Sequence, residues 1–482
     1  MSNLSDLLPA GASGKTIEAV ATATITSKAP VILNSAGTVT EVSGSVISGS
    51  LGSLTQFNSS NSVYVASAYH SAQNKVVVAY GDGGNSDYGT ACVGTISGTS
   101  ITFGTPEVFL TAEALWISAT YDSSTNKIVI VYKDEGNSGY GTAIVGTVSG
   151  SSISFGTAVV FESATTTYTA TTYDSANNKI VIAYQDAGNS SYGTARVGTV
   201  SGTTISFDSL AIVFESANSQ YMATTFDSTN GKILIAYKDA GNSGYGTAIV
   251  GTVSGTSISF GTAAVFESAT TSFIATTFDS TSGKMLIAYR DGGNSQYGTA
   301  IVGTVSGTSV SFGTAVVFAT AATENITASY SPLANVTNFA YTDAGNAGQA
   351  TYITGTVSGT TISFDTEADL EPSNGDYFSS ASIGSGKVFF GYRSGTTGEG
   401  IVLQNVYTIT NSASFVGIAD AGISTSATGT IVVQGGTVTG LSSLTTGSKY
   451  YVQYDGTITT VSSSVNAGLA ISTTSLLLSG DS

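Results

Sequence analysis

Short runs of β-branched and aromatic residues alternate with polar turn sequences along most of this chain. One stretch shows the pattern in full: YTATTYDS (168–175), KIVIAYQD (179–186), GTARVGTV (193–200) and ISFDSLAIVF (205–214) are separated by SANN, AGNSSY and SGTT. Runs of that length and composition read as strands, and the separators read as turns. The pattern therefore predicts four short strands in one unit.

The unit recurs. Its loop aspartate stands at Asp82, Asp134, Asp186, Asp239, Asp291 and Asp343, with steps of 52, 52, 53, 52 and 52 residues. A tyrosine precedes each one at a fixed offset: Tyr80, Tyr132, Tyr184, Tyr237, Tyr289 and Tyr341. A seventh, altered copy follows at Tyr392 as YRSGTTGEGIV. Four strands in roughly 40 to 52 residues is the size of a propeller blade, whereas a solenoid coil usually needs fewer residues. The expected architecture is all-β, a seven-bladed β-propeller; a string of separate small sandwiches is the alternative. A single unit would bury too little surface to stand alone.

Register also predicts how the ring closes. Phe161, Phe214 and Phe266 each lie seven residues before a bulky residue opening the next unit, Tyr168, Tyr221 and Phe273. The same step joins Phe57 to Tyr64, so residues 43–57 have the register of a fourth strand with no blade before them. The last copy shows only three strands, YFSSASI, KVFFGYR and EGIVLQNVY. Blade seven is thus expected to take its outer strand from 43–57, which removes exposed edges. That closure makes the propeller, 43–409, an insertion. The flanking pieces, 16–42 and 410–482, carry short alternating strands with Asn-Ser-Ala-Gly, Gly-Gly and Asp-Gly turns, and are expected to form one split β-barrel or sandwich. Residues 1–15 read as an N-terminal arm.

Composition narrows the function classes. Acidic residues outnumber basic ones 31 to 14, a net charge of −17, which opposes approach to nucleic acid or an anionic membrane. A single cysteine, Cys92, leaves no internal disulfide and no cysteine cluster for a metal, and reads as a small buried hydrophobe. The opening residues lack a basic segment followed by an apolar core, and no run approaches the ~18 apolar residues of a membrane helix, so assembly in a cytoplasm is expected. No cofactor or metal is expected.

Two sets of residues could meet a ligand. The D-x-G-N-S phrase of Asp82, Asp134, Asp186, Asp239, Asp291 and Asp343 reads first as one turn specification, because Asp and Asn bond nearby backbone N–H groups and Gly supplies positive φ. Its ligand-reading alternative is a cation or sugar hydroxyls, although each loop supplies one carboxylate and no EF-hand-like series. The second set opens the first strands: Tyr64, Trp116, Tyr168, Tyr221, Phe273, Asn325 and Tyr377. Six are aromatic. They are expected to ring the channel mouth, either as packing between blades or as a surface that stacks on sugar rings. Catalysis finds little support. His70, the only imidazole, stands where other blades have Asp122, Asp174, Asp227 and Asp279, which points to a turn. Nucleophile-elbow, metal-ligand and phosphate-loop motifs are absent. Arg290 and Arg393 share a position occupied elsewhere by Lys133, Gln185, Lys238 and Thr342, and are read as solvated. A carboxylate pair for glycoside cleavage stays open, since its separation is spatial.

The segments APVILNSAGTV (29–39), FVGIAD (415–420), GTIVVQGGTVTGLSSLTTGSKYYVQYDGT (429–457) and AGLAISTTSLLL (467–478) resemble the small β-barrel modules of tailed-phage virion proteins, in capsid decoration proteins and in fibres. The opening SNLSDLLPAGASGK and repeats such as YGTAIVGTVSGTSVSFGTAVVF (297–318) likewise resemble structural proteins of marine, cyanophage-like phages. The resemblance implies a non-enzymatic virion surface protein. Its barrel would dock on capsid or tail proteins and its propeller would be displayed, for adhesion to a host-surface glycan or as plain capsid decoration. It leaves open a homo-oligomeric arrangement on the particle, and a glycan-degrading propeller is the third reading.

Overall fold

The second strand of each repeat is an almost unbroken apolar run, and such a run is stable only where both faces of the sheet are covered. In Lys179–Asp186 every residue from Ile180 to Tyr184 is fully buried. The cover comes from the neighbouring repeats. One core cluster, for example, joins Val129, Val131 and Phe161 of one repeat to Ile180, Ile182, Tyr184 and Ile205 of the next. In this computed structural model, residues 15–34, 37–42, 44–207, 210–384, 386–409, 415–452, 458–460 and 466–479 are described. Apart from Lys15, the expected arm lies outside them.

The protein is all-β, with large antiparallel sheets and no α-helix among the described residues. It divides into two compact units, residues 49–405 and residues 1–48 with 406–482.

Within 49–405, each repeat forms an antiparallel four-stranded sheet. In the second repeat, Ala114–Asp122 pairs with Lys127–Asp134, which pairs with Tyr140–Ser149. The outer strand is in two pieces: Ser152–Phe155 pairs with one half of Tyr140–Ser149, and the start of Val159–Asp174 with the other. Between the pieces lies Gly156, where a Cβ would stand 1.8 Å from the carbonyl oxygen of Thr203 in the next repeat. The chain then runs on without a turn, so that one 16-residue strand, Val159–Asp174, ends one repeat and begins the next. The Ser/Thr-rich ESATTT within it lacks Gly and Pro and stays extended. In the last repeat, Thr397–Ile409 pairs with Thr55–Asn58, joining Gly398 to Asn58 and Gly400 to Thr55.

Each outer-strand phenylalanine binds its repeat to the next. Phe161 lies with its ring centroid 5.2 Å from Tyr184, Phe214 5.2 Å from Tyr237, and Phe266 5.1 Å from Tyr289. The other side of the ring sits on a glycine: a Cβ on Gly141 would fall 2.5 Å from Phe161 Cε2, and on Gly398 it would fall 2.3 Å from Phe57 Cε2. One repeat exchanges both members together. Ala350 stands in the glycine position and buried Leu370 in the phenylalanine position.

The expectation for the 1–48/406–482 unit is one barrel or sandwich. Among the described residues it consists of two five-stranded sheets, and no closed barrel is seen. In the first sheet, Thr16–Val20 and Val39–Glu41 form opposite edges, and just past the first of them Ala21 forms an isolated bridge with Val39 and the Thr22 N–H donates to the Val39 carbonyl. Strands of three to five residues offer too few rungs for a full closing ladder. The second sheet is built wholly from Thr437–Leu478, and a shared cluster including Ile32, Val432, Val438 and Leu476 joins the two sheets.

The Phe–Gly contact predicts a compensated pair. Gly141→Ala should lower stability by about 1–3 kcal/mol through overpacking, and combining it with Phe161→Leu should recover part of that loss. Urea denaturation of the double-mutant cycle measures the coupling, and strict additivity would refute the contact's role.

Candidate functional site

Every inner strand carries a β-bulge near its start. The register shifts between Val63 and Ala66, Leu115 and Ser118, Thr167 and Ala170, Gln220 and Ala223, Ser272 and Ala275, Glu324 and Thr327, and Asp376 and Ser379. The first extra residue is Tyr64, Trp116, Tyr168, Tyr221, Phe273, Asn325 or Tyr377, and all seven have φ between 49° and 52°. Left-handed backbone is ordinary for Gly and tolerated by Asn, but for bulky side chains it costs about 1–3 kcal/mol per residue. Only strong surrounding packing can hold six such aromatics there.

That packing is largely the aromatics themselves. Ring centroids lie 5.0 Å apart for Tyr64–Trp116, 4.3 Å for Trp116–Tyr168, 5.2 Å for Tyr168–Tyr221, 5.4 Å for Tyr221–Phe273 and 5.2 Å for Tyr64–Tyr377, all tilted. Asn325 breaks the series between Phe273 and Tyr377. All seven residues line one chamber of about 200 Å³, with buried Val65, Ile117, Thr169, Met222, Ile274, Ile326 and Phe378. Beyond these, smaller residues such as Ser67, Ser118, Thr171 and Thr276 line a further cavity of about 280 Å³. The six aromatics named from sequence are thus brought together, half-buried, around a single space.

The loop aspartates do another job. Asp186 and Asp239 accept from the backbone N–H of Asn189 and Asn242 at 3.2 and 3.1 Å, while Asp82, Asp291 and Asp343 accept from Gly84, Gly293 and Gly345 at 2.8–3.0 Å. In most repeats they cap a single turn of 3-10 helix. Asp134, Asp186, Asp239, Asp291 and Asp343 are buried. Burial pushes the Asp134 and Asp186 carboxyls above the usual range, against the pull of nearby backbone N–H groups. None of the six lines the chamber. Among the described residues, no group of three or more His, Cys, Asp and Glu is placed to hold a metal ion. His70 is also buried away from the chamber, its ring 4.5 Å from that of Tyr121, and burial lowers its pKa. Cys92 is buried, which raises its thiol pKa.

Arg290 and Arg393, read as solvated, are not. Arg393 stacks 4.9 Å from the centroid of Tyr377 and pairs with Asp376, while Arg290 stacks 5.7 Å from Phe273 and bonds Glu324 Oε1 at 2.9 Å. Their side chains are only 22% and 18% exposed, so the guanidinium groups pack as part of the rim. A sequence signal existed. An acidic residue stands immediately before the bulge residue only at Glu324 and Asp376, and Asp376 is the direct cross-strand partner of Arg393.

No protein-family model matches the chain, nor does any curated protein sequence. In fold it is similar to the BP39L lectin from Burkholderia pseudomallei, with a TM-score of 0.52, 10% identity, and coverage of 76% of this chain and 97% of the lectin. At that identity the likeness is one of fold alone.

Buried phenols, in the chamber and between the repeats, also make the fold sensitive to alkali. Burial, then the neighbouring Tyr377, Glu113 and Tyr168, pushes the Tyr64 phenol up to about 12. Burial and then the Glu162, Glu215 and Glu267 carboxylates raise Tyr184, Tyr237 and Tyr289 further. The folded state therefore holds these protons more tightly than the unfolded chain, whose phenols titrate near ~10. The resulting stability is fully present below pH ~10 and is lost as pH rises from there towards 12. Urea midpoints should be level between pH 8 and 9.5 and lower at pH 11, with a smaller drop for Tyr64→Phe. A midpoint unchanged at pH 11 would contradict this.

Proposed function

We propose that this protein is a non-enzymatic carbohydrate-binding protein whose repeats form a seven-bladed β-propeller, and that the axial aromatic chamber is its binding site. One observation carries the reading: seven left-handed bulge residues, six of them aromatic, converge on a single cavity. Strain repeated at equivalent positions around one concave space is a mark of function more than of packing economy. Aromatic walls suit the apolar faces of a sugar ring, and a few polar groups fix its orientation.

The chamber's volume limits what enters. At about 200 Å³ it lies under the ~300–1,000 Å³ of drug-sized ligand pockets, which favours one sugar ring or the terminal residue of a chain. Convergence also implies one ligand per chain. The propeller reading is supported by the four-stranded pairing in each repeat and by the return of Thr397–Ile409 onto Thr55–Asn58. The fold likeness to a bacterial lectin is compatible with carbohydrate binding.

The resemblance to tailed-phage virion proteins supplies the setting. In this reading the 1–48/406–482 unit anchors the chain to other virion proteins at the particle surface, and the chamber holds a host-surface glycan.

A glycan screen followed by calorimetry tests the site. Trp116→Ala and Tyr168→Ala should each weaken the best ligand by roughly 30-fold, about 2 kcal/mol, at a stoichiometry of one per chain. Both variants should keep the wild-type circular dichroism spectrum. Failure of the intact protein to bind any glycan would leave decoration of the particle as the role.

A further inference from the structure

The chamber is not equivalent around its circumference. Six bulge positions carry rings and the seventh carries Asn325, whose amide is held in a defined orientation. Its Nδ2 donates to Thr342 Oγ1 at 3.2 Å and to Asp376 Oδ1 at 3.3 Å. The Thr342 hydroxyl in turn donates to the Gly375 carbonyl. With Nδ2 committed, the free group that Asn325 brings to the chamber is its Oδ1, an acceptor.

The two arginines near the mouth are committed as well. Arg290 Nη1 donates to Glu324 Oε1 at 2.9 Å and Nη2 donates to Gln296 Oε1. Arg393 Nη1 donates to Asn61 Oδ1 at 3.2 Å and Nη2 donates to Asp376 Oδ2, while its Nε is buried. Lys238 lies over the Tyr221 ring, 5.9 Å from its centroid, and does not line the chamber. No arginine fork is therefore left to clasp a carboxylate or sulfate in the bidentate manner that anion recognition favours. The carboxylates of Asp376 and Glu324, 34% and 44% exposed, keep acceptor capacity at the same side. A chain of net charge −17 adds a repulsive field.

We propose that Asn325 is the specificity-determining residue of the chamber: its carbonyl oxygen accepts a hydroxyl of a neutral sugar, and the sector around it discriminates against acidic sugars. This inference rests on the glycan-binding reading. The aromatic walls supply most of the contact area, with tyrosine hydroxyls and the Trp116 indole N–H spread around them, and Asn325 is the one amide acceptor among the seven bulge positions, marking one sector at which an edge of the sugar is seated. A ligand that brings donors satisfies that pole, whereas one that brings only acceptors leaves Oδ1 buried and unpaired.

Calorimetric titration tests it with a panel of neutral hexoses and N-acetylhexosamines against glucuronic acid and N-acetylneuraminic acid. The intact protein should bind its best neutral sugar at least ten-fold more tightly than either acid. Asn325→Gly, which keeps the left-handed backbone and removes the amide, should weaken that sugar about ten-fold. Monodeoxy analogues of the sugar, titrated against the unaltered protein, give a reading independent of any variant's folding: removal of one particular hydroxyl should cost about the same factor. Acidic sugars binding as tightly as neutral ones would overturn the inference. So would full affinity in Asn325→Gly alongside loss in Trp116→Ala, an outcome that leaves the chamber itself standing. Absence of any sugar binding by the intact protein would remove the chamber reading and this inference together.

Discussion

The bulky apolar residue near the end of each outer strand, a phenylalanine in all but one, packs between two repeats, and the rest of the repeat unit is arranged around that contact. On one side its ring lies against the fully buried tyrosine of the next repeat, as Phe161 does with Tyr184. On the other it occupies the space a side chain would need at Gly141. Area burial and aromatic contact together make such a pair one of the stronger local terms available to an all-β chain with 9% charged residues. Phe57, contributed from before the first repeat, makes the same contacts with Gly398 and Tyr80. The last repeat and the first are therefore joined by the contact that joins the other neighbours, except where Ala350 and Leu370 replace its two members.

That contact lies seven residues before the bulge of the next inner strand, where the register carries one residue too many. The bulge takes up the excess, and the bulge residue is driven into left-handed backbone. Glycine would relieve the strain, yet the chain places Tyr, Trp and Phe at six of these positions. Contact from ring to ring around the chamber offsets part of the cost. Packing between repeats and the shape of the candidate site are in this sense one structure.

The two repeated sequence features separate cleanly. Five of the six aspartates of these repeated loops accept from backbone N–H groups of their own turns, and most are buried, so their repetition follows from backbone geometry. The tyrosine-to-glutamate bonds, such as Tyr184 to Glu162 at 2.9 Å, satisfy a buried phenol in the same structural way. What departs from the repeat is chemically distinct: Asn325 in place of a ring, and the Arg290–Glu324 and Arg393–Asp376 pairs beside it. Equivalence builds the scaffold and departure from it builds polarity.

By itself the sequence determined the all-β class, the repeat, most strands and turns, and the set of aromatics at equivalent positions. These are local properties, set by β-branched runs, Gly/Asn/Asp/Ser turns and a period near 52 residues. Tertiary structure decided the rest. Left-handed backbone at Tyr64, Trp116 or Phe273 is invisible in sequence, because nothing in a bulky residue's own preferences leads there; the register imposed by neighbouring strands does. Burial of Arg290 and Arg393 was likewise misread, since their partners lie on adjoining strands or the next repeat. The flanking segments, read as one barrel or sandwich, form two five-stranded sheets that share a cluster, because strands of only a few residues can propagate a ladder but cannot close it.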